Sequence, residues 1–427
     1  MSVEKSPDPA LEGIDARRAR SIVERMGETG QPPERGALAV NVGTEEVLDV
    51  LLREYLIPIR EEGRNSSFKL VQATFGGGKT HFLHCLREIG WREGFLVSMV
   101  GISPQECPFD DTLRVYQAVA KSLELPPQST DSPAARGIDA VLVQILRRKV
   151  EDSGEKAVRD WLQWEFKRAP IESHALRRAM YLFFLAVLDG DDAQEEVLAA
   201  YLRGDHVSAP ERANLQLREE LDSKSAFRFL RSLIQAMREL SVPGLILLFD
   251  EMDRVMSLSV KRRKAIGDNL RQMIDHCGQA TLPALLWVYA VPPEFMTTVV
   301  PEYPALEQRL RGAGRFSMSS PLEPVIDLEA LPLETTELFR RIGYRLLELF
   351  RLGRSEEIDM ELQRSNVDRL AEHMSLNALE SGSRRIFVKR LVQMLHNQIH
   401  NPGPIETADI EALEGFDEDL EGEEDLF

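Results

Sequence analysis

The chain has 427 residues, 43% hydrophobic and 29% charged, the balance of a globular protein long enough for two or three domains, and none of its apolar runs approaches the roughly 20 residues that span a bilayer. Its formal net charge of −18 is lopsided: residues 401–427 hold 11 Asp or Glu and no Lys or Arg, leaving 59 acids against 52 bases, a net of −7, elsewhere. That surface argues against indiscriminate nucleic-acid binding, which rests on neutralising phosphates, and leaves a local basic patch or a ring pore as the route to DNA.

No charged-then-apolar signal peptide opens the chain, and Cys85, Cys107 and Cys277 are too scattered for a disulfide framework or a zinc ribbon. A cytoplasmic protein with no membrane partner is expected. Residues 1–12 are polar, carry two prolines and read as disordered. Ala16–Met26 reads as a short basic amphipathic helix, and Gly30–Gly36, with Pro32 and Pro33, as a rigid turn. Ala39–Gly43 then precedes a helix with Val47, Leu48, Leu51, Leu52 and Tyr55 on one side. A segment here can hold a nucleotide base by backbone contacts, which makes Val42 and Gly43 candidates. A plain packing helix is the competing reading.

The stretch Ser66–Leu83 reads as strand, glycine-rich turn and helix. Phe68–Gln72 has the apolar content of a buried strand, and Thr80 onward regains helical spacing. In between, Phe75, Gly76, Gly77, Gly78, Lys79, Thr80 and His81 form a phosphate cradle of the Walker A kind. Glycines let backbone N–H groups turn inward on an anion, Lys79 reaches the β- and γ-phosphates, and the Thr80 hydroxyl ligates Mg²⁺. The pattern G-x4-G-K-T begins here with Ala73, which lacks glycine's freedom at positive φ. His81, His84 and Cys85 share a helix face at metal-ligand spacing, but a helix packed on a sheet makes zinc ligation the weaker reading.

Phe95–Val100 reads as a second strand, Pro104–Asp111 as a loop and Thr112–Leu123 as a helix. Gly137–Asp222 shows only helical patterns, broken at Ser153-Gly154, Pro170, Asp189–Asp192 and Pro210: a large helical insertion in which Trp161, Trp164 and Phe166 read as packing residues. The helix Ser225–Leu240 leads to Leu245–Phe249, a continuous apolar strand buried on both faces and ending in Asp250-Glu251. An acid there can hold the metal's water shell, and Glu251 can orient or deprotonate a water for attack on the γ-phosphate.

The cations Lys261–Lys264 open the helix Ala265–Cys277, either as a solvated face or as a contact for nucleic acid or an acidic partner. Ala284–Ala290 is one more apolar strand, expected between the P-loop strand and the acidic one. It ends Tyr289-Ala-Val-Pro-Pro, without the polar residue that usually reads the γ-phosphate. Downstream, Arg309, Arg311 and Arg315 are placed to reach a neighbouring subunit's phosphate, with Arg309 the first candidate and surface arginines the alternative. Glu334–Ile399 forms a helical bundle whose last helix starts at Ser383 with Arg384 and Arg385. Cations at a helix N-terminus oppose its dipole, so a phosphate-sensing Arg384 would explain the position.

The arrangement resembles AAA+-type ATPases of the additional-strand, catalytic-glutamate group, and within them the ATP-binding proteins of BREX-type phage defence, at the length of the small BrxD-like members. The resemblance rests on Gly30-x-Pro-Pro-x-Arg-Gly36, Val42-Gly-Thr-Glu-Glu46, Ala73–Leu83, Gly94–Ser98, Leu248-Phe-Asp-Glu251 and Ser383-Arg-Arg-Ile-Phe387. Ala73, Thr44 where an arginine is common, and the apolar sensor strand depart from it. It implies ATP and Mg²⁺ as cofactors, catalysis by Lys79, Glu251 and an arginine such as Arg309, metal held by Thr80 and Asp250, and assembly into a homo-oligomer. It also implies a DNA helicase or DNA-modifying defence partner, with DNA held through the oligomer. The expected fold is an α/β P-loop NTPase with a parallel sheet flanked by helices. Its divisions are an N-terminal segment 1–37, an ATPase core 38–325 with a helical insertion at about 110–223, a helical lid 326–400 and an acidic, disordered tail 401–427. A slowly hydrolysing nucleotide-gated switch or scaffold is the alternative.

Overall fold

The computed structural model describes residues 11–63, 66–103, 107–127, 134–251, 258–279, 282–312, 314–330, 333–376 and 383–410; most of the N-terminal segment 1–12 and of the acidic tail lies outside them. Among the described residues no helix is long and apolar enough to cross a membrane. The chain divides into two compact units, one from Met1–Leu48, Ala73–Glu88 and Asp327–Phe427, the other from Asp49–Gln72 and Ile89–Ile326.

The second unit holds a six-stranded sheet in the order β3-β2-β4-β5-β1-β6. The strands are β1 (Ser66–Gln72), β2 (Leu96–Gly101), β3 (Leu123–Glu124), β4 (Leu245–Asp250), β5 (Leu285–Val291) and β6 (Val325–Asp327). Pairings β1–β5, β5–β4 and β4–β2 are parallel, and β3 runs antiparallel to β2. The inserted strand is thus where the sequence puts it, between the P-loop strand and the acidic one. Every residue of β4 and β5 is buried, as the unbroken apolar runs require of strands covered on both faces. Phe249 stacks on Trp287 and Tyr289 with ring centroids 5.1 and 4.9 Å apart, and burial of each such side chain contributes about 1.5–3 kcal/mol. In register, Ser66 and Leu245 both align with Leu285, so the parallel strands finish on one edge, where ligands of open α/β sheets bind.

The insertion is helical, as expected, with helices Ile138–Ser153, Glu155–Trp164, His174–Asp189, Asp192–Arg203 and Ala209–Asn214. Two details differ from the sequence reading. Pro210 does not break the chain; it sits in the first turn of a helix capped by a reciprocal Ser208–Glu211 pair, a place where a missing N–H costs nothing. Trp161 packs on Phe166 at 5.3 Å, but Trp164 is 58% exposed with the Arg168 guanidinium 5.5 Å over its ring.

The first unit has its own core. The helix Ala16–Thr29 buries Ala19, Ile22, Val23 and Met26 in the same cluster as Leu346 and Phe350 of Thr335–Leu352, Val367 and Leu370 of Met360–Leu376, and Phe387 and Leu391 of Ser383–His400. Phe339 and Phe387 stack at 4.7 Å. The N-terminal segment and the bundle, read from sequence as separate pieces, therefore share one hydrophobic core, because an amphipathic helix alone has nowhere else to hide its stripe.

Candidate functional site

β1 ends at Gln72, and the next residues form the cradle. Gly76 and Gly78 take φ of +73° and +95°, which side chains resist. Ala73 is fully buried and does not share that conformation, so its methyl group brings no backbone strain. A Cβ on Gly77 would lie 2.8 Å from that methyl, so Gly77 must stay bare for Ala73 to fit. Lys79 is buried, with Nζ donating to the carbonyls of Ala73 (2.9 Å) and Thr74 (3.1 Å), while Phe75 at the loop's tip is 62% exposed. The helix Lys79–Arg92 follows, placing Thr80 and His81 in its first turn.

The same compact unit supplies two charges to the loop. Arg384 donates from Nη1 to the Gly77 carbonyl at 2.6 Å, and its neighbour Arg385 donates instead to the Thr29 carbonyl at 2.8 Å. Burial holds the Arg384 guanidinium below its ordinary range, against the opposing pull of Glu329. Glu329, which sequence reasoning missed, accepts the Thr74 backbone N–H at 2.8 Å and the Thr74 hydroxyl. A second missed carboxylate, Glu88, accepts the backbone N–H groups of Gly36, Ala37 and Leu38. It fixes the turn leading to Val42 and Gly43, where Gly43 (φ +87°) donates to Glu45 and the buried Thr44 hydroxyl donates to Asn41.

His81 is pushed down to about 4 by burial and then by Arg384, so its ring is neutral near pH 7. His84 Nδ1 lies 3.0 Å from the Pro33 carbonyl, and burial drives the Cys85 thiol well above its usual range. The helix-face trio therefore already has other work.

In the other unit β4 delivers a buried Asp250 followed by an exposed Glu251. Glu251 has φ of +61°, a left-handed conformation that a non-glycine residue adopts at a cost of about 1 kcal/mol or more. The Glu251 N–H donates to Asp250 Oδ1 at 2.9 Å, and the Glu251 carboxylate lies over Gly101 at the end of β2. Tyr289, where a polar sensor was sought, is fully buried among aromatic rings, with Phe109 edge-on at 5.0 Å.

The arginines separate. Arg309 is clamped by Asp275 through Nε at 2.5 Å and Nη2 at 3.0 Å, with Nη1 on the Ala305 carbonyl. Arg311, 77% exposed, pairs with Glu307, and Arg315 is exposed. The basic run is half neutralised: Arg262 pairs with Asp110 through two 2.9 Å bonds and Arg263 lies 3.6 Å from Glu302, leaving Lys261 and Lys264 exposed.

Sheet order, glycine loop and strand-end acids define the class, an α/β P-loop nucleotide-binding protein. The chain belongs to the BREX system ATP-binding protein BrxC/D family, which it matches over residues 14–411. Among solved structures it is similar to the Aeropyrum pernix ORC2 protein in its ADPNP-ADP complexes, with 10% identity and a TM-score of 0.43, over 87% of this chain and 67% of that one. Comparison with curated proteins finds no match.

Proposed function

We propose that this chain is a Mg²⁺-dependent ATP hydrolase of BREX phage defence, of the small BrxD-like kind. It works in the cytoplasm as a homo-oligomer beside a DNA helicase or DNA-modifying partner, with DNA held through the oligomer. The observation that carries hydrolysis beyond binding is the left-handed Glu251 directly after a buried Asp250, since such strain persists where the surrounding structure needs the side chain in one place. The cradle binds the triphosphate through its backbone N–H groups and Lys79, with Val42 and Gly43 toward the base. Thr80 and Asp250 offer the hard oxygen donors that would hold Mg²⁺, and the ion would supply positive charge to offset that of the phosphates. Glu251 takes a proton from water as its oxygen attacks the γ-phosphorus; the bond to the β,γ-bridging oxygen breaks, leaving ADP and phosphate. Arg384, already on the loop, reads the phosphates. The clamp by Asp275 favours Arg311 or Arg315 over Arg309 as the charge offered to a neighbouring subunit.

Lys79→Ala is expected to abolish ATP binding, whereas Glu251→Gln retains binding and blocks turnover. Glu251→Gln turning over ATP as fast as the parent would remove the assigned base. The buried Tyr289 at the sensor position favours a second reading, a slow nucleotide-gated switch. Turnover stimulated by DNA counts against that switch.

A further inference from the structure

Lys69 lies inside β1, four positions before Ala73, and is only 2% exposed. Its Nζ donates to the carbonyls of Glu323 (2.7 Å) and Pro321 (3.2 Å) and sits 4.5 Å from the Tyr55 ring centroid and 5.0 Å from that of Phe316. The Tyr55 hydroxyl donates to the same Pro321 carbonyl, and the Leu70 N–H donates to the Pro324 carbonyl at 2.8 Å. An apolar side chain would fill this slot with less desolvation cost. What the amine adds is direction, because both of its acceptors belong to one segment.

That segment is the continuation of the arginine loop. The Glu323 side chain is pressed against Gly312, where a Cβ would lie 2.0 Å from Oε2, and it also faces Gly314 at 3.8 Å. Those two glycines lie between Arg311 and Arg315 in the sequence. Beyond them a turn bridged at Ser317 and Ser320 carries Met318 (44% exposed) and leads to Leu322 (84% exposed). Lys69, Glu323, Gly312 and the arginines therefore form one mechanical series within one compact unit, starting on the strand that runs into the phosphate loop.

We propose that Lys69 is a positioning residue: by fastening Pro321 and Glu323 to β1 it holds Arg315 in fixed register with the P-loop strand, preorganised for the nucleotide phosphate of a second copy of this chain. The inference rests on the reading of that arginine as acting across copies. Burying this amine deeply enough to pull it down to about 7 makes sense where loose geometry of the segment it holds would cost rate, as it does for groups that meet charge in a transition state.

The test is Lys69→Met in the full chain, read by hydrogen exchange, ATP binding and turnover, alone and combined with Arg315→Ala. Amides of 314–324 should exchange about tenfold faster or more, while those of β4 and β5 keep their protection. ATP affinity should stay within about threefold, turnover should fall about tenfold, and the double variant should be no slower than Arg315→Ala, since both changes remove one function. Unchanged exchange in 314–324, or a double variant whose losses multiply, overturns the proposal. Should Lys69→Met fail to fold, Tyr55→Phe removes only the hydroxyl on Pro321. It must loosen the same segment, by less, and no loosening counts against the anchor. A parent chain without turnover defeats the ATPase reading, while the exchange result still decides whether Lys69 fastens the segment.

Discussion

The Arg384 guanidinium donates to the Gly77 carbonyl, so a residue of the last helix of the bundle is seated on the phosphate loop of the same unit, 307 positions away in sequence. One of its N–H groups is spent on that carbonyl, and the guanidinium has further donors to offer an anion on the loop. Arg384→Ala is expected to weaken ATP binding about 10- to 100-fold, the worth of a charge-assisted hydrogen bond, as read by calorimetry. Arg384→Lys should restore only part of it, since an ammonium cannot reproduce the planar fork.

Glu251 sets a trade between stability and turnover. Replacing it with glycine relieves the left-handed strain and should raise unfolding stability by about 1 kcal/mol in a denaturant titration while eliminating turnover. Equal stability would mean that the strain is compensated locally.

Arg309 and Arg315 should fail differently. Arg309→Ala leaves Asp275 with a half-buried carboxylate short of its bidentate partner, so it is expected to cost about 1–3 kcal/mol of stability. Arg315→Ala should leave the melting temperature within about 1 °C and lower turnover. Mixing it with Lys79→Ala chains, which lack nucleotide but keep Arg315, should restore part of the rate if the arginine acts across copies.

His84 gives the pH dependence a sign. Burial first, then Arg87 and His81, push its imidazole down to about 3 from an unfolded value of 6.5. Nδ1 cannot both donate to Pro33 and accept from Arg87, whose Nη2 is 3.2 Å away, and a protonated ring would repel that guanidinium. Between pH 6.5 and 3 the unfolded chain binds the extra proton, so stability present above pH 6.5 is lost on acidification. From pH 7.5 to 5.0 the loss from this group should be about 2 kcal/mol in urea titrations. His84→Asn should make that limb shallower, with the like contribution of His81 remaining.

Local rules made the centre of the protein legible. Strand, glycine loop and helix follow from composition over Ser66–Leu83, and the unbroken apolar runs of β4 and β5 announce strands buried on both faces. What stayed hidden depends on partners far away in sequence. Nothing near Glu329 says that it accepts from Thr74, 255 positions earlier, and nothing near Arg309 says that Asp275 will hold it. The positive φ of Glu251 is imposed by its surroundings and not by its residue type, which prefers the opposite. A signal for Lys69 was present, a charged residue type flanked by Phe68, Leu70 and Val71, but its acceptors are main-chain carbonyls of Pro321 and Glu323, and carbonyls leave no mark in a sequence.

The bond from Arg385 to the Thr29 carbonyl closes a loop of 356 positions, and the apolar faces of the first and last described long helices lie in one cluster. During translation at about 5–20 residues per second, the leading helix therefore waits tens of seconds with its greasy side uncovered, a natural client for a chaperone. The piece that carries Lys79 and Thr80 cannot close until the trailing helix emerges from the ribosome. Ribosome-bound fragments that stop short of it would have sheet strands but a cradle without Arg384, so nucleotide affinity is expected to rise once residues 383–400 have emerged.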